Sequence, residues 1–272
     1  WFSTPANFYN VDLVTEPPSD VNRENELKRI FVDASCQTKV FFNYPNNLSA
    51  NHDLIFQHRY LLTGKDTRTE LAVFYPTSYL RLRPDLNMPD RMLTLCHDIR
   101  DITDYDLVDE HLIAAGILNQ YKILILAEGN VINKPAFEMI NKWVDAGGIV
   151  ILNNLASFNV ITVNSIVADK FNTAHSSSKD TSNFRLSNYA DKLLPYYYTN
   201  LNTQLIINQF TQKCGQGWII NVLLDWDKQK PVFYELIREI IYHRSILNPA
   251  EIDPVPLDNE WDGILTTEFV DG

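Results

Sequence analysis

The chain has 272 residues, of which 45% are hydrophobic and 21% are charged, so it can bury one large core or two ordinary ones, and disorder throughout is excluded. Its 34 acidic residues outnumber its 23 basic residues, and the net charge of −11 disfavours binding to nucleic acid or anionic membranes. No stretch approaches the roughly 20 apolar residues of a membrane helix. No targeting signal is visible, so both a cytoplasmic and a secreted location stay open. The three cysteines, Cys36, Cys96 and Cys214, are too widely spaced for a Cys-x-x-Cys site and are expected to be thiols.

The N-terminal part of the chain predicts a connector followed by helices. Residues 1–25 are rich in Pro, Asn and acidic side chains and predict an extended segment. Apolar residues at helical spacing predict a helix over residues 24–35 and a second one over residues 52–62. Because the sequence opens on Trp1 rather than Met, we expect it to be a segment of a longer chain.

Continuous apolar runs begin at residue 70. The runs at residues 70–75, 121–127 and 149–152 are typical of strands buried on both faces of a parallel sheet. A helix is predicted to begin at Pro89 and another at Pro135, the second ending before a Gly-Gly pair. The sheet-facing residues predicted for the Pro89 helix are Met92, Leu93, Cys96 and Ile99. The other predicted elements are a strand at 105–109, a connector at 112–118, a turn at 128–130, a loop at 172–188, a hairpin of 205–207 with 218–224, and a helix at 232–243.

This order of strand, helix and strand predicts an α/β fold built on an open, mostly parallel, doubly wound sheet. Three prolines between residues 249 and 256 interrupt regular structure, and the tail that follows predicts the first strand of a separate β domain. The predicted organisation is an N-terminal extended and helical segment at 1–66, the α/β domain at 67–247, and a linker with the first β strand at 248–272.

Doubly wound sheets bind ligands beyond the carboxyl ends of their strands, so a site is sought there. No strand end carries a glycine-rich phosphate loop, so no nucleotide cofactor is expected. Ser157 follows a strand but lacks the flanking glycines of a nucleophile elbow, and we do not assign it a catalytic role. The pocket residues predicted at strand ends are Glu128, Asn130, Asn153, Asn154, Asp225 and Asp227.

Two acidic clusters precede the second long strand, one between Asp98 and Asp106 and one at Asp109-Glu110-His111. Carboxylates ligate hard metals and carry protons, but at a net charge of −11 such clusters also arise from helix caps and acidic surfaces. We favour the second interpretation and expect no metal site. The aromatic run Tyr196, Tyr197 and Tyr198 could stack on sugar rings or form an interface, and the sequence does not decide between these uses.

Four stretches together resemble a known family. Thr69 to Pro76, Ile102 to Glu110, Tyr121 to Gly129 and Trp143 to Ile151 are similar to the class I glutamine-amidotransferase-like domain of glycoside hydrolases, above all to the trimerisation domain of one family of bacterial β-galactosidases. The turn at Gly215-Gln-Gly217 resembles the Gly-Lys-Gly turn before the last strand of that group.

The resemblance implies a domain without amidotransferase activity. True amidotransferases carry a nucleophilic Cys after the strand that corresponds to residues 149–152, and a His-x-Glu pair after the last strand. This sequence has Asn153-Asn154 and Asp225-Trp226-Asp227 at those places, and these side chains cannot replace a thiolate. In the similar galactosidases, catalysis belongs to two glutamates of a preceding barrel.

We therefore expect a non-catalytic accessory or oligomerisation domain of a multidomain glycoside hydrolase, whose partners are the catalytic domain of the same polypeptide and further copies of itself. Two alternatives stay open. One is a hydrolase that uses Glu128, Asp225 and Asp227, which requires these carboxylates to converge within about 5–10 Å. The other is a free-standing carbohydrate-binding or protein-binding module whose contact surface is formed by residues 196–198 and the loop at 172–188.

Overall fold

The structure is a computed structural model, and its contacts divide the chain into two compact units, with the boundary after Thr69. The described residues are 3–17, 21–62, 69–84, 87–100, 102–153, 158–162, 165–166, 193–200, 203–222, 226–228, 230, 233–234 and 237. For residues 62, 88, 162, 165–166, 193–200 and 203–212 the description covers the backbone alone.

The first unit contains three helices and a two-stranded parallel sheet in its described part. In chain order these are α1 (Ser3–Phe8), β1 (Val14–Thr15), α2 (Arg23–Ser35), β2 (Val40–Phe41) and α3 (Pro45–His58), with a 3-10 turn at Arg59–Leu62. The expectation of an extended connector before residue 25 is wrong in part, because α1 and β1 lie there. Helix α3 also begins seven residues earlier than predicted, since Pro45 occupies its first turn, where the missing N–H is tolerated.

Side chains of α2 and α3 organise the first unit. Asn22 caps α2 by accepting the backbone N–H of Asn25, as expected of an Asn before a helix. On α3, the amides of Asn47 and Asn51 bind the backbone N–H and C=O of Val21 at 3.1 Å each. These bonds satisfy backbone groups that would otherwise be buried without partners.

The second unit is built on a seven-stranded sheet. Its strands and those of a smaller sheet are β3 (Leu71–Tyr75), β4 (Asp106–Asp109), β5 (Ile123–Leu126), β6 (Val131–Asn133), β7 (Ile149–Asn153), β8 (Asn159–Thr162), β9 (Ser165–Ile166), β10 (Leu193–Asn200), β11 (Thr203–Cys214) and β12 (Gly217–Val222). The order in the large sheet is β10-β11-β12-β7-β5-β3-β4, and β6, β8 and β9 form the small one. The four pairings from β12 to β4 are parallel and the two involving β11 are antiparallel. The prediction of an α/β fold with a mostly parallel sheet is confirmed.

In the described part of the second unit, four helices lie between these strands along the sequence. They are α4 (Thr77–Leu82), α5 (Met88–Arg100), α6 (Glu110–Ala114) and α7 (Lys134–Asp145). Helix α7 buries Phe137, Ile140, Trp143 and Val144 on one face, and Gly147 continues the chain with a φ of +123°. On α5, Met92, Cys96 and Ile99 are buried as predicted, but Leu93 is 68% exposed and Leu95 takes its place in the core. Helix α4 and the strands of the small sheet were not predicted, because short elements give little periodic signal.

A hairpin joins the sheet where one was predicted, but its recorded pairs are residues 209–214 with 217–222, and residues 205–207 pair with β10. Strands β11 and β12 pair through the turn at Gly215-Gln-Gly217, and β12 lies beside β7. A Cβ atom at Gly217 would lie 2.2 Å from the carbonyl oxygens of Val144 and Gly148, so the turn needs glycine there to approach the end of α7. The connector predicted at 112–118 contains the end of α6 and the start of a 3-10 turn at Ile117–Gln120.

In the core of the second unit, α5 and residues after β12 pack against the large sheet. Its buried members include Leu95, Ile125, Ile151, Trp226 and Phe233. The loop predicted at 172–188 and the strand predicted after residue 260 lie outside the described residues, as does most of the helix predicted at 232–243. No helix in the described part of the chain has the length and apolar character needed to cross a bilayer.

Candidate functional site

The carboxyl edge of the parallel strands brings two of the predicted pocket acids together. Glu128 follows β5, and Asp227 lies beyond the end of β12. Arg91, on the first turn of α5, binds both of them. The carboxylates therefore lie on either side of one guanidinium, although 99 residues separate them in the sequence.

Glu128 is held by three donors that converge on one oxygen. Its Oε1 accepts Arg91 Nε at 3.0 Å, Arg91 Nη2 at 2.5 Å and the indole Nε1 of Trp226 at 2.7 Å. The side chain is 12% exposed, so this ion pair is screened less than a surface pair. Two nitrogens of the Arg91 guanidinium bind this one oxygen, so the contact holds Oε1 of Glu128 in place.

Asp227 binds the same guanidinium and is the more exposed of the two acids. Its Oδ2 accepts Arg91 Nη1 at 2.9 Å, and its side chain is 43% exposed. Burial disfavours the cationic form of Arg91, but the bonds and charges of Glu128 and Asp227 outweigh burial and raise the pKa of Arg91 above its ordinary value. Arg91 is therefore a permanent cation between two acceptors.

Trp226 lies beneath this ion-pair group. Its side chain is buried, with Arg91 at 5.3 Å and Lys230 Nζ at 5.7 Å from the ring centroid. Lys230 also lies 3.7 Å from Asp98, which accepts the hydroxyl of Tyr234 at 2.9 Å. The indole thus lies within 6 Å of two cations, each of which is paired with an acid.

Two of the predicted asparagines, Asn130 and Asn153, lie in the described part of the chain. The bonds recorded for them are not to Arg91, Glu128 or Asp227 but to backbone groups elsewhere. Asn130 accepts the backbone N–H of Asn159 through its own carbonyl at 2.6 Å, next to the pairing of β6 with β8 in the small sheet. Asn153 ends β7, is 8% exposed, and donates from Nδ2 to the carbonyl of Ala127 at 3.4 Å. Asn154 and Asp225 lie outside the described residues, so the three-carboxylate arrangement of the hydrolase hypothesis stays untested.

At the carboxyl edge of the sheet, the segments that follow β3 and β5 contact each other. Gly129 has a φ of +77°, and a Cβ atom added there would lie 2.6 Å from Cβ of Pro76 and 3.2 Å from Cβ of Tyr79. The two strand ends are therefore in van der Waals contact where doubly wound sheets usually open a ligand crevice.

Glu110 is the residue at this edge whose importance sequence reasoning missed. Its side chain is almost fully buried at the start of α6, and it accepts the backbone N–H and hydroxyl of Ser78 and the backbone N–H of Asn133. The sequence alone places it in an acidic cluster of caps and surface residues. The position of Glu110 in the sequence could have indicated a different role. Asp109 caps α6 by accepting the backbone N–H groups of His111 and Leu112, so the next acid, Glu110, is not needed as a cap.

Three other members of the acidic clusters that the structure describes bind donors of the chain itself. Asp98 accepts Tyr234, Asp106 accepts Tyr121 at 2.9 Å, and Asp104 lies 3.5 Å from Arg100. Among the described residues, no group of three or more His, Cys, Asp or Glu side chains is arranged to hold a metal ion.

The aromatic run lies on β10, the strand at one edge of the large sheet. Tyr196, Tyr197 and Tyr198 pair with residues 207, 206 and 205 of β11. Their side chains fall outside the described part of the structure, so their use as sugar or interface contacts stays a prediction.

The chemistry available at the described edge is that of fixed ion pairs. Oε1 of Glu128 and both carboxylate oxygens of Glu110 accept hydrogen bonds from groups of the chain itself. A general acid must release a proton to substrate, and a nucleophile must present an unblocked lone pair. An oxygen that receives three intramolecular bonds is poorly suited to either role.

Comparisons with known proteins give a fold-level likeness. The sequence matches no protein-family model, and no curated protein matches it. Solved structures that it resembles are GH42 β-galactosidases. A catalytic mutant of Gan42B from G. stearothermophilus has a TM-score of 0.42 at 11% identity, covering 71% of this chain and 34% of that one.

Two more structures of this type are similar. The β-galactosidase from Bacillus circulans sp. alkalophilus has a TM-score of 0.42 at 14% identity, covering 66% of this chain and 32% of that one. The enzyme from the haloarchaeon Halorubrum lacusprofundi has a TM-score of 0.47 at 11% identity, covering 82% and 42%. This chain therefore spans well under two-thirds of each enzyme, and at these scores the likeness does not tell what the chain does.

Proposed function

We propose that this chain is a non-catalytic accessory domain of a multidomain glycoside hydrolase, with a flavodoxin-like, amidotransferase-like α/β domain that packs on a catalytic barrel and mediates self-association. Its contribution to carbohydrate hydrolysis is to support the barrel rather than to react with sugar. The activity belongs to glutamates outside the 272 residues.

The order of the parallel strands supports the fold part of this proposal. Numbered along the chain, β3, β4, β5, β7 and β12 lie in the order 2-1-3-4-5, which is the flavodoxin-like order. The antiparallel strands β10 and β11 extend that sheet on the side of β12. The motifs that resemble the amidotransferase-like domain lie on or next to β3, β4, β5 and β7.

The pairing of Glu128 and Asp227 with Arg91 is the observation that carries the proposal. A glycosidase needs one carboxyl group that gives up a proton and one that attacks or activates water. Here the more buried acid is bound by Arg91 and Trp226, and the more exposed one is bound by the same Arg91. The group is better suited to joining α5, the end of β5 and the segment after β12 than to turnover.

The amidotransferase reaction is disfavoured by a second residue. Asn153 ends β7 at the place of the nucleophile elbow, and its amide is directed at the carbonyl of Ala127, the residue after the neighbouring strand β5. An amide has no ionisable nucleophile, so glutamine hydrolysis has no attacking group at this position.

Activity assays of the 272-residue chain test the absence of catalysis. Wild type and the Glu128→Gln and Asp227→Asn variants are assayed with aryl β-galactosides and with glutamine. We expect no turnover above the buffer rate in any of the three. Turnover in wild type that either variant abolishes would overturn the proposal in favour of a hydrolase built on these acids.

The natural gene and the assembly state test the accessory role. We expect the coding sequence around this segment to contain a barrel with two strand-end glutamates, and light scattering to show an oligomer at micromolar concentration. An open reading frame without a glycosidase domain would remove the accessory role, and a monomer would remove self-association. Binding of sugars that requires residues 196–198 would favour the binding-module alternative.

A further inference from the structure

The small sheet of the first unit exposes an apolar face. Val14 of β1 lies opposite Val40 of β2 in the parallel register, and their side chains are 56% and 45% exposed. The backbone N–H of Phe42 continues this ladder by donating to the carbonyl of Thr15, and the Phe42 side chain is 43% exposed. Because alternate side chains of a strand share a face, Val14, Val40 and Phe42 lie on one side of the sheet. We call these three residues the outer face.

The opposite side of this sheet is packed against α2. Thr15 donates its hydroxyl to Asp33 at 2.9 Å. The guanidinium carbon of Arg29 lies 3.9 Å from the ring centroid of Phe41, and Arg29 Nη2 donates to the carbonyl of Phe42 at 2.5 Å. Helix α2 therefore covers the inner side of both strands and holds the end of β2.

A parallel sheet of this size needs a second covering layer. All-parallel sheets occur almost always with both faces covered, and even a two-stranded hairpin alone is marginally stable at best in water. Strands β1 and β2 have two residues each, so few backbone bonds hold them together. A segment packed on the outer face would remove Val14, Val40 and Phe42 from water.

The end of the sequence belongs to the same compact unit. The contacts that divide the chain group Thr266–Gly272 with residues 1–69, although the whole second unit separates these two stretches in the sequence. The segment reads Thr-Thr-Glu-Phe-Val-Asp-Gly, and its β-branched and aromatic residues predict a strand. Phe269 is its largest apolar side chain. The segment is thus grouped with the first unit and carries a side chain that matches an apolar face.

The surrounding charges indicate which strand such a segment would follow. Two acids, Asp12 and Glu16, are exposed on either side of β1, whereas Lys39 is exposed immediately before β2. In the tail, Glu268 precedes Phe269. An acid of the tail is repelled by the acids beside β1 and attracted by Lys39. The tail therefore matches the β2 side of the outer face.

We propose that Thr266–Gly272 packs as an extended strap along β2 and covers the outer face, with Phe269 packed against Val40 and Phe42. The strap is the second layer of the small sheet and brings the end of the sequence into the first unit. It takes the place of the separate β domain that the sequence predicts for this tail. The contact lies within the first unit, so it stands or falls independently of the accessory role proposed above.

Nuclear Overhauser effects in the full chain test the contact directly. The chain is labelled at valine methyl groups and phenylalanine rings, and the Val40→Ile and Phe269→Leu variants assign the two signals. We expect cross-peaks between the methyl groups of Val40 and the ring of Phe269. A folded chain without these cross-peaks would overturn the proposal.

The tail of a second copy of the chain is the alternative occupant of the outer face. A mixed sample, in which half of the chains carry methyl labels and the other half carry ring labels, distinguishes the two occupants. We expect the cross-peaks to disappear in the mixed sample. Cross-peaks that persist between differently labelled chains would assign the contact to an interface between copies and overturn the intramolecular strap.

Hydrogen exchange provides a second test with a matched control. Phe269→Ala removes the ring that packs on β2, so the opening constant of residues 40–42 should rise by about tenfold or more. Removal of residues 264–272 should have the same effect. Phe56→Ala removes an exposed ring from α3 and should leave exchange at residues 40–42 unchanged. Unchanged exchange in Phe269→Ala, or equal effects of the two phenylalanine variants, would contradict the strap.

A charge reversal tests the position of the strap along β2. Lys39→Glu should raise the opening constant of residues 40–42 by about twofold to fivefold, because it places an acid near Glu268. The double variant Lys39→Glu/Glu268→Lys should restore the wild-type value, since the pair is then reversed. No effect of Lys39→Glu, or an effect that Glu268→Lys does not reverse, would overturn the placement along β2.

Discussion

Glu110 holds Ser78 through both of its carboxylate oxygens, with the backbone N–H at 2.9 Å from Oε1 and the hydroxyl at 2.5 Å from Oε2. The second oxygen also accepts the backbone N–H of Asn133 at 3.1 Å. One buried side chain therefore satisfies the first turn of α4 and the N-cap residue of α7. These bonds join segments that follow three different strands.

Replacing Glu110 by Gln should destabilise the second unit by about 1–3 kcal/mol, because the new amide N–H would face the N–H of Asn133 and leave it without an acceptor. Urea unfolding followed by tryptophan fluorescence measures the change. The control is Glu138→Gln on the exposed part of α7, which should change stability by less than about 0.5 kcal/mol. Equal effects of the two variants would contradict the structural role of Glu110.

Arg91 should couple more strongly to Glu128 than to Asp227. Two nitrogens of Arg91 bind Glu128 and only 12% of that side chain is exposed, whereas Asp227 is 43% exposed and its pair is screened by water. Double-mutant cycles with Arg91→Met, Glu128→Gln and Asp227→Asn should give a coupling of about 1–3 kcal/mol for the first pair and below about 1 kcal/mol for the second. A larger coupling to Asp227 would show that the exposed contact holds the group together.

Sequence patterns identified the centre of the sheet because the signal there is local. The runs that became β3, β5 and β7 are continuous and apolar, and Pro135 and the Gly-Gly pair mark the ends of α7. Leu93 was misplaced because its spacing from Met92 and Cys96 fits a broad helical face, and only the position of the sheet reveals that Leu95 occupies the core.

The site was less predictable because its contacts span long sequence distances. The topology rule predicted Glu128 and Asp227 as strand-end pocket residues, since parallel strands present their carboxyl ends at one edge, and their place in a pocket stays a prediction. Their common partner Arg91 lies 37 and 136 residues away on α5, and no local pattern distinguishes it from a surface arginine. Glu110 was overlooked for the same reason, because its donors come from Ser78 and Asn133.

Cys96 should resist thiol reagents in the folded chain. It is buried on α5, burial raises the pKa of its thiol, and the hydrogen bond with Tyr105 offsets only part of that effect. Both factors lower the population of accessible thiolate, which is the reactive form. Cys36 and Cys214 are partly exposed, and no disulfide joins the three cysteines.

A Cys36→Ser/Cys214→Ser double variant isolates the Cys96 signal. Reaction with a chromogenic disulfide reagent at pH 8 should be slow in buffer and fast in denaturant. The reciprocal Cys96→Ala variant should retain the faster thiols of the folded chain. Rapid labelling of Cys96 without denaturant would show that the helix face containing it opens readily.

Tyr121 should make the second unit sensitive to alkali. Burial, and then the charge and hydrogen bond of Asp106, raise the pKa of Tyr121 above its ordinary value. The folded chain thus holds the phenol proton more tightly than the unfolded chain. The resulting stability is fully present below about pH 10 and falls as pH rises above it, by up to about 1.4 kcal/mol per pH unit.

The Tyr121→Phe variant should lose about 1 kcal/mol of stability at pH 8, because the bond to Asp106 is lost. The stability of this variant should nevertheless fall less steeply than that of wild type between about pH 10 and pH 11. Urea unfolding at each pH, with the exposed Tyr9→Phe as a control, measures the slopes, and identical slopes for wild type and Tyr121→Phe would refute the assignment.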